Sequence, residues 1–324
     1  VGGSMYLLGV GFLYTVTGTL NIIDMASMLP YFADRPAVLT GLILITVGIG
    51  VKAALFPMHG WLPDAYTFAS STSTALIAPI GTKVAAYVLI RVLLYMFGIG
   101  TMDAVLAVSR ILAVLAAMGI LYGSIMAIGQ RELKRMLAYS SVSQIGYIIM
   151  GFSLANPYGF VGAVLHVLNH AIMKACLFLV AGNLRYREGH SNMWLFNDSY
   201  RKKYPWTMAC FTVAAISMVG LPPLAGFFSK WYLALGTIEN GSWMLLAVIL
   251  VSSLLNAVYF FRVLEKIYMK SPDAPSEKGG EDEAGNREVK FSMLMPVGVL
   301  AMGIVLVGIF NMAVVSYILK MFPG

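Results

Sequence analysis

GVKAALFPMHGWLPDAY, residues 50–66, starts inside a long apolar run that carries a single lysine, Lys52. The helical pattern breaks five residues later at Pro57 and again at Pro63. An ammonium group held in hydrocarbon costs about 3 kcal/mol or more. An interrupted helix also frees amides and carbonyls, tolerated at membrane depth only where they face protein or a water-filled cavity. A lysine beside a helix break therefore points to a transport path rather than to a plain anchor.

The rest of the chain supplies the membrane. Of 324 residues, 59% are hydrophobic and only 11% charged, whereas a soluble domain carries roughly 25% charged residues. The mean hydropathy is +0.79. Apolar runs recur along nearly the whole chain, each long enough for a roughly 30 Å hydrocarbon layer. The fold class expected is an all-α polytopic membrane protein with nine crossings, at 4–21, 37–57, 75–97, 105–128, 137–154, 158–182, 205–235, 243–268 and 291–319. Two are broken helices, the second crossing at Pro57/Pro63 and the seventh at Leu221-Pro222-Pro223. Cys176 and Cys210 fall in or beside apolar runs and read as packed small side chains rather than a disulfide. The first run lacks a basic start and a cleavage site, so it does not read as a signal peptide. Residues 271–290 form the clearly soluble segment, a charged loop bearing Pro and Gly.

The net charge of +7 reads as a topology signal, not a nucleic-acid footprint. Loops 129–136, 183–204 and 262–290 fall on one side and hold 14 of the 22 Lys and Arg residues. Cytoplasmic loops carry such an excess, which sets the N-terminus inside, the C-terminus outside and the protein in the cell (inner) membrane.

Lys52, Lys83, Arg91, His166, His170, Lys174 and Lys230 lie within or at the edge of the expected spans. Arg91 reads as a snorkelling side chain at a helix end. His166, His170 and Lys174 are four residues apart and so stack along one helix face over about 12 Å. Ser140, Ser141, Ser143 and Gln144 add a polar stripe to the preceding span. Helix-to-helix hydrogen bonding is the plain alternative for such a set. A row of amines and imidazoles is also suited to passing protons, because such groups titrate within reach of neutrality when buried. No carboxylate or thiolate is placed to complete a metal shell at His166/His170. No CxxC set, Gly-rich nucleotide loop or Ser/His/Asp arrangement is present, so no cofactor is expected on this chain. Pro222/Pro223 with Lys230 repeats, in the second half, the pairing of Pro57/Pro63 with Lys52. Paired broken helices of this kind point to a site between inverted repeats.

GVKAALFPMHGWLPDAY and the following STALIAPIGTKVAAYVLIR resemble the signature of the antiporter-like subunits of respiratory complex I. That family also includes Mrp-type sodium/proton antiporters and membrane-bound energy-converting hydrogenases. LKRMLAYSSVSQIGY, LHVLNHAIMKACLFLVAGNL and SMVGLPPLAGFFSKWYL resemble its later blocks in the right order. The loops 183–204 and 271–290 resemble Mrp D-type and archaeal hydrogenase-type subunits more than mitochondrial ones. The resemblance implies a proton-translocation set. Lys52 matches the key lysine of the first broken helix, Lys83 the relay lysine and His170 and Lys174 the central connection, with His166 as an addition. Lys230 matches the terminal lysine of the second broken helix.

The resemblance covers the C-terminal nine helices, about the sixth to the fourteenth, of a full-length member. It implies a remainder of the first, inner half-channel repeat at 1–97 and a second, outer half-channel repeat at 98–268. The cytoplasmic loop at 269–290 and a last transmembrane helix at 291–324 follow. In the family, the Lys52 equivalent pairs with a glutamate on an earlier helix, and none of the 15 acidic residues here sits at mid-membrane. The carboxylate is thus expected from a missing N-terminal segment or a neighbouring chain. The expected partners are other membrane subunits, antiporter-like ones among them, and lipid, with no nucleic acid. Three functional readings stay open: an ion-translocating subunit of a redox-driven complex, a component of a redox-independent Mrp-type antiporter, or a structural scaffold.

Overall fold

The computed structural model describes residues 1–98, 103–269 and 288–320, and among them all regular elements are helices. The charged loop expected at 271–290 lies almost wholly outside the described residues, as do 321–324 at the C-terminus. The chain opens with α1 (Gly2–Thr17), which bends by 58° into α2 (Ile22–Met28) and a short 3₁₀ turn. α3 (Pro36–Ala53) and α4 (Trp61–Phe68) are the halves of the first broken helix, and α5 (Ser71–Arg91) follows. Next come α6 (Asp103–Ile128), α7 (Leu133–Ser153) and α8 (Pro157–Glu188), then the short α9 (Ser199–Lys203). α10 (Pro205–Val219) and α11 (Ala225–Glu239) form the second broken helix. α12 (Trp243–Tyr268), α13 (Phe291–Ile309) and α14 (Asn311–Leu319) end the described chain.

α3, α5, α6, α8, α12 and α13 are each long and apolar enough to cross a membrane. Their outward faces carry exposed Ile77, Ile80 and Val84 on α5, Ile111 and Ile125 on α6, and Leu250 and Leu254 on α12. Such faces suit lipid, which asks nothing of an apolar side chain. α7, although 21 residues long, is less apolar because of its serine and glutamine stripe; it is instead the most enclosed helix, buried from Ser140 to Phe152. The last expected crossing, 291–319, is divided at Phe310, whose φ of −91° and ψ of 20° leave the helical region.

Helix ends follow local rules. Pro36 and Pro157 occupy first helical positions, where the missing N–H costs nothing. Asn156 caps α8 through a 2.7 Å bond accepted from the Gly159 amide. The first break spans residues 54–60, with Ala54 at a φ of +57°. Pro57 stands in that break, whereas Pro63 sits inside the first turn of α4 and interrupts nothing. Only the first-turn amides lack intrahelical acceptors, so a proline there removes no bond. In the second break Gly220 takes a φ of +93°, and Pro222 and Pro223 precede α11.

The described parts of the three basic segments, 129–136, 183–204 and the end of α12, meet at one end of the bundle. The Leu133 amide donates to the Ser191 carbonyl, and the Met193 amide to the Arg131 carbonyl. Arg262 donates to the carbonyls of Ile128 and Gln130. Trp194 is ringed by Arg131, Arg262 and Lys266, whose charged groups lie 5.6, 5.7 and 4.6 Å from ring centroids.

The second break is packed without slack. A Cβ built on Gly226 would stand 1.9 Å from the Ser217 carbonyl oxygen. Gly226→Leu is therefore expected to destabilise the bundle by about 3 kcal/mol or more. A clear fall in the thermal unfolding midpoint of the detergent-purified protein would show this, and an unchanged midpoint would contradict the packing.

Candidate proton path

The second break shows what a buried amine needs. Lys230, on α11, reaches back across the break, and its Nζ donates to the carbonyls of Met218 (3.0 Å) and Val219 (2.9 Å). These are the last carbonyls of α10, left without intrahelical donors where the helix stops. The end of a helix also carries partial negative charge, which favours a cation. Gly220 leaves room for this approach, since a Cβ there would lie 3.0 Å from Lys230 Cδ. The Nζ also lies 5.4 Å from the Tyr147 ring centroid.

The first break is built differently. Lys52 lies in the last turn of α3, exposed, with its Nζ beside Gly3 of α1. No described residue gives it a hydrogen bond or an ion pair. The Val51 carbonyl at this helix end is taken by the Trp61 indole at 2.9 Å and by the Ala54 amide. Periodicity did not single out Trp61; it is found only by asking which side chain caps the broken end. The α4 half is tied to the basic end: Lys134 donates to the Ala69 carbonyl at 2.7 Å, and Arg135 pairs with Asp64 at 3.3 Å. In the break itself, His59 stacks on Phe56 and meets Tyr122 edge-on.

Between the breaks lie the remaining expected residues, all buried. Lys83 donates to the Ala78 carbonyl at 2.6 Å. Lys174 donates to the Leu137 carbonyl at 2.6 Å and to Ser140 Oγ in a very short bond. His166 is held from both sides, Nδ1 by Ser229 Oγ and Nε2 by Gln144 Oε1, each at 2.9 Å. His170 stacks on His166 with centroids 5.8 Å apart, and neither of its ring nitrogens has a partner among the described residues. Lys83 is within Coulombic reach of His166, His170 and Lys174, and Lys230 within reach of His166. The structure thus gathers Lys83, His166, His170, Lys174 and Lys230 into one connected set and leaves Lys52 apart. Arg91 is exposed at the end of α5, near Tyr87 and Tyr95, as a snorkelling side chain would be.

The polar stripe of α7 extends further than its sequence suggested. Ser143 meets Ser124 of α6 at 2.9 Å, and Ser124 meets Ser252 of α12 at 3.0 Å. Tyr259 donates to Asn256 Oδ1 at 2.8 Å on the same face of α12. Among the described residues, no group of three or more His, Cys, Asp and Glu side chains could hold a metal ion.

The sequence matches the family described as "NADH:quinone oxidoreductase/Mrp antiporter, TM" over residues 1–256. The chain belongs to that family. It is 47% identical to an NADH-quinone oxidoreductase N-type subunit of Desulforudis audaxviator, over 97% of this chain and 63% of that protein. It is 30% identical to the D-type subunit of a Na(+)/H(+) antiporter of Alkalihalophilus pseudofirmus, over 93% of this chain and 59% of that one. Among solved structures it resembles a chain of the membrane-bound sulfane sulfur reductase, an archaeal respiratory membrane complex. The TM-score is 0.88 at 29% identity, covering 99% of this chain and 62% of that one. A chain of the Mrp complex from Dietzia gives a TM-score of 0.86 at 26% identity, covering 98% and 64%. The chain spans about three fifths of the length of the curated relatives it matches. It is a multi-pass membrane protein whose regular elements, among the described residues, are all helices.

His166 needs both of its partners. Gln144→Leu should leave the buried Nε2 unpaired and lower stability by about 1 kcal/mol. Thermal unfolding in detergent reads this directly, with Gln144→Asn as the polar control.

Proposed function

We propose that the chain is a proton- or sodium/proton-translocating, antiporter-like membrane subunit of a complex-I-like, redox-driven assembly. The observation that carries this reading is the connected set of buried amines and imidazoles, whose ammonium groups rest on carbonyl and hydroxyl oxygens instead of carboxylates. A carbonyl solvates an ammonium without carrying a charge of its own, so the amine is not locked in an ion pair and its proton can move on. The 47% identity to an NADH-quinone oxidoreductase subunit, against 30% to the Na(+)/H(+) antiporter subunit, favours the redox-driven setting over a redox-independent antiporter. Four buried or break-flanking lysines also weigh against a pure scaffold, which has no use for them.

The reading divides the chain into a first half-channel region at 1–97, a second at 98–268, a charged loop at 269–290 and the last crossing at 291–324. By the excess of Lys and Arg in its loops, the basic end is cytoplasmic, which sets the N-terminus inside and the C-terminus outside. A proton enters near the Lys52 break and passes to Lys83, then to His170 and Lys174. It leaves through His166, Ser229 and Lys230 on the outward side. Transfer across His170 runs over water, because its ring nitrogens meet no group of the described chain and buried polar groups are normally hydrogen-bonded. The carboxylate for Lys52 comes from chain N-terminal to these residues or from a neighbouring membrane subunit.

Lys230→Ala in the intact assembly should abolish proton translocation, read as quenching of a pH-sensitive dye in inverted membrane vesicles. The assembly should remain whole on a native gel. Wild-type pumping by the variant would remove Lys230 from the path.

A further inference from the structure

A groove of about 520 Å³ opens at the basic end of the bundle, between the start of α5, the last turns of α8 and the start of α13. Its lower walls are apolar, formed by Ala75, Leu76, Leu179 and Met293. Its floor is the close approach of α8 to α5, where a Cβ on Gly182 would lie 3.2 Å from Ser71 Cβ.

The upper part of the groove offers donors and no acceptor charge. Asn183 lines it, is only 4% exposed, and its Nδ2 has no partner among the described residues. Ser71 and Thr72 stand at the N-terminus of α5, a helix of 21 residues; the Ser70 cap accepts only from the Ser73 amide, at 3.2 Å. The amides of Ser71 and Thr72 have no acceptor among the described residues, as first-turn amides lack intrahelical ones, and the helix end favours an anion. Arg185 lines the mouth, exposed, without a hydrogen bond or ion pair among the described residues. Glu188, three residues from Arg185, accepts from the Tyr204 hydroxyl, Glu132 from Ser191, and Asp64 pairs with Arg135. Lys134 adds positive charge near Arg185.

Donors and a guanidinium above an apolar slot, at the level where the spans end, match an anion that carries an acyl chain. We propose that this groove binds the phosphate of an anionic phospholipid. Arg185, Asn183 and the α5 amides hold the headgroup, and one acyl chain lies along Ala75, Leu76 and Leu179. The site rests on none of the translocation residues, so its failure would leave the proposed proton path untouched.

The test is native mass spectrometry of the protein, purified in mild detergent, stripped of lipid and titrated with defined lipids. One phosphatidylglycerol should be retained in preference to phosphatidylcholine with the same acyl chains, and millimolar inorganic phosphate should not displace it. The Arg185→Gln/Asn183→Leu double variant should lose about tenfold in apparent affinity, the scale of one charge-assisted hydrogen bond. Arg185→Lys, which keeps the charge at an exposed position, should retain the preference. So should Lys202→Gln, which removes an exposed cation outside the groove. Equal retention of both lipids, wild-type affinity in a correctly folded double variant, an equal loss with Lys202→Gln, or displacement by phosphate alone would each overturn the proposal.

Discussion

An ammonium group buried at membrane depth must find an oxygen, and in this chain the oxygens are backbone carbonyls. Lys83 rests on Ala78, Lys174 on Leu137, Lys230 on Met218 and Val219, and Lys134, at the basic end, on Ala69. A helical carbonyl keeps one lone pair beyond its intrahelical bond, and a carbonyl at a helix end keeps both. The break after Val219 thus does two things at once: it ends α10, and it makes a receptor for the amine that α11 returns to it. Close packing of Gly226 on Ser217 holds the halves in that register.

α7 organises the set because it touches it at every level. Ser140 meets Lys174, Gln144 meets His166, and the Tyr147 ring lies under Lys230. Ser143 carries the same polar face across to α6 and α12. A helix this polar cannot face lipid, so it is enclosed by its neighbours, and enclosure is what brings residues from α5, α8 and α11 within reach of one another. The basic loops close one end of the same bundle around Trp194, whose ring draws together cations from two separate segments.

Much of this was legible in the residues. Hydropathy located the long spans, and the prolines at 57 and 222–223 marked both breaks. The spacing of His166, His170 and Lys174 placed them on one face of α8. Pro63 misled for a local reason: a proline in a helical first turn looks like a breaker in sequence and acts as none. The division at Phe310 was not read from the sequence because a lone Gly308 and Asn311 there stand inside an otherwise apolar run, and a single glycine does not by itself end a transmembrane helix.

The sequence by itself determined that this is a membrane bundle with two interrupted helices and a row of intramembrane amines and imidazoles, because hydropathy and helical period are local properties of consecutive residues. Only the tertiary structure decided which oxygen each amine rests on, that Trp61 and not Lys52 caps the first broken end, and that Ser229, Ser124 and Ser252 join the polar set. Those partners are up to 128 residues apart in the chain, and no local pattern reports which helices will share a face.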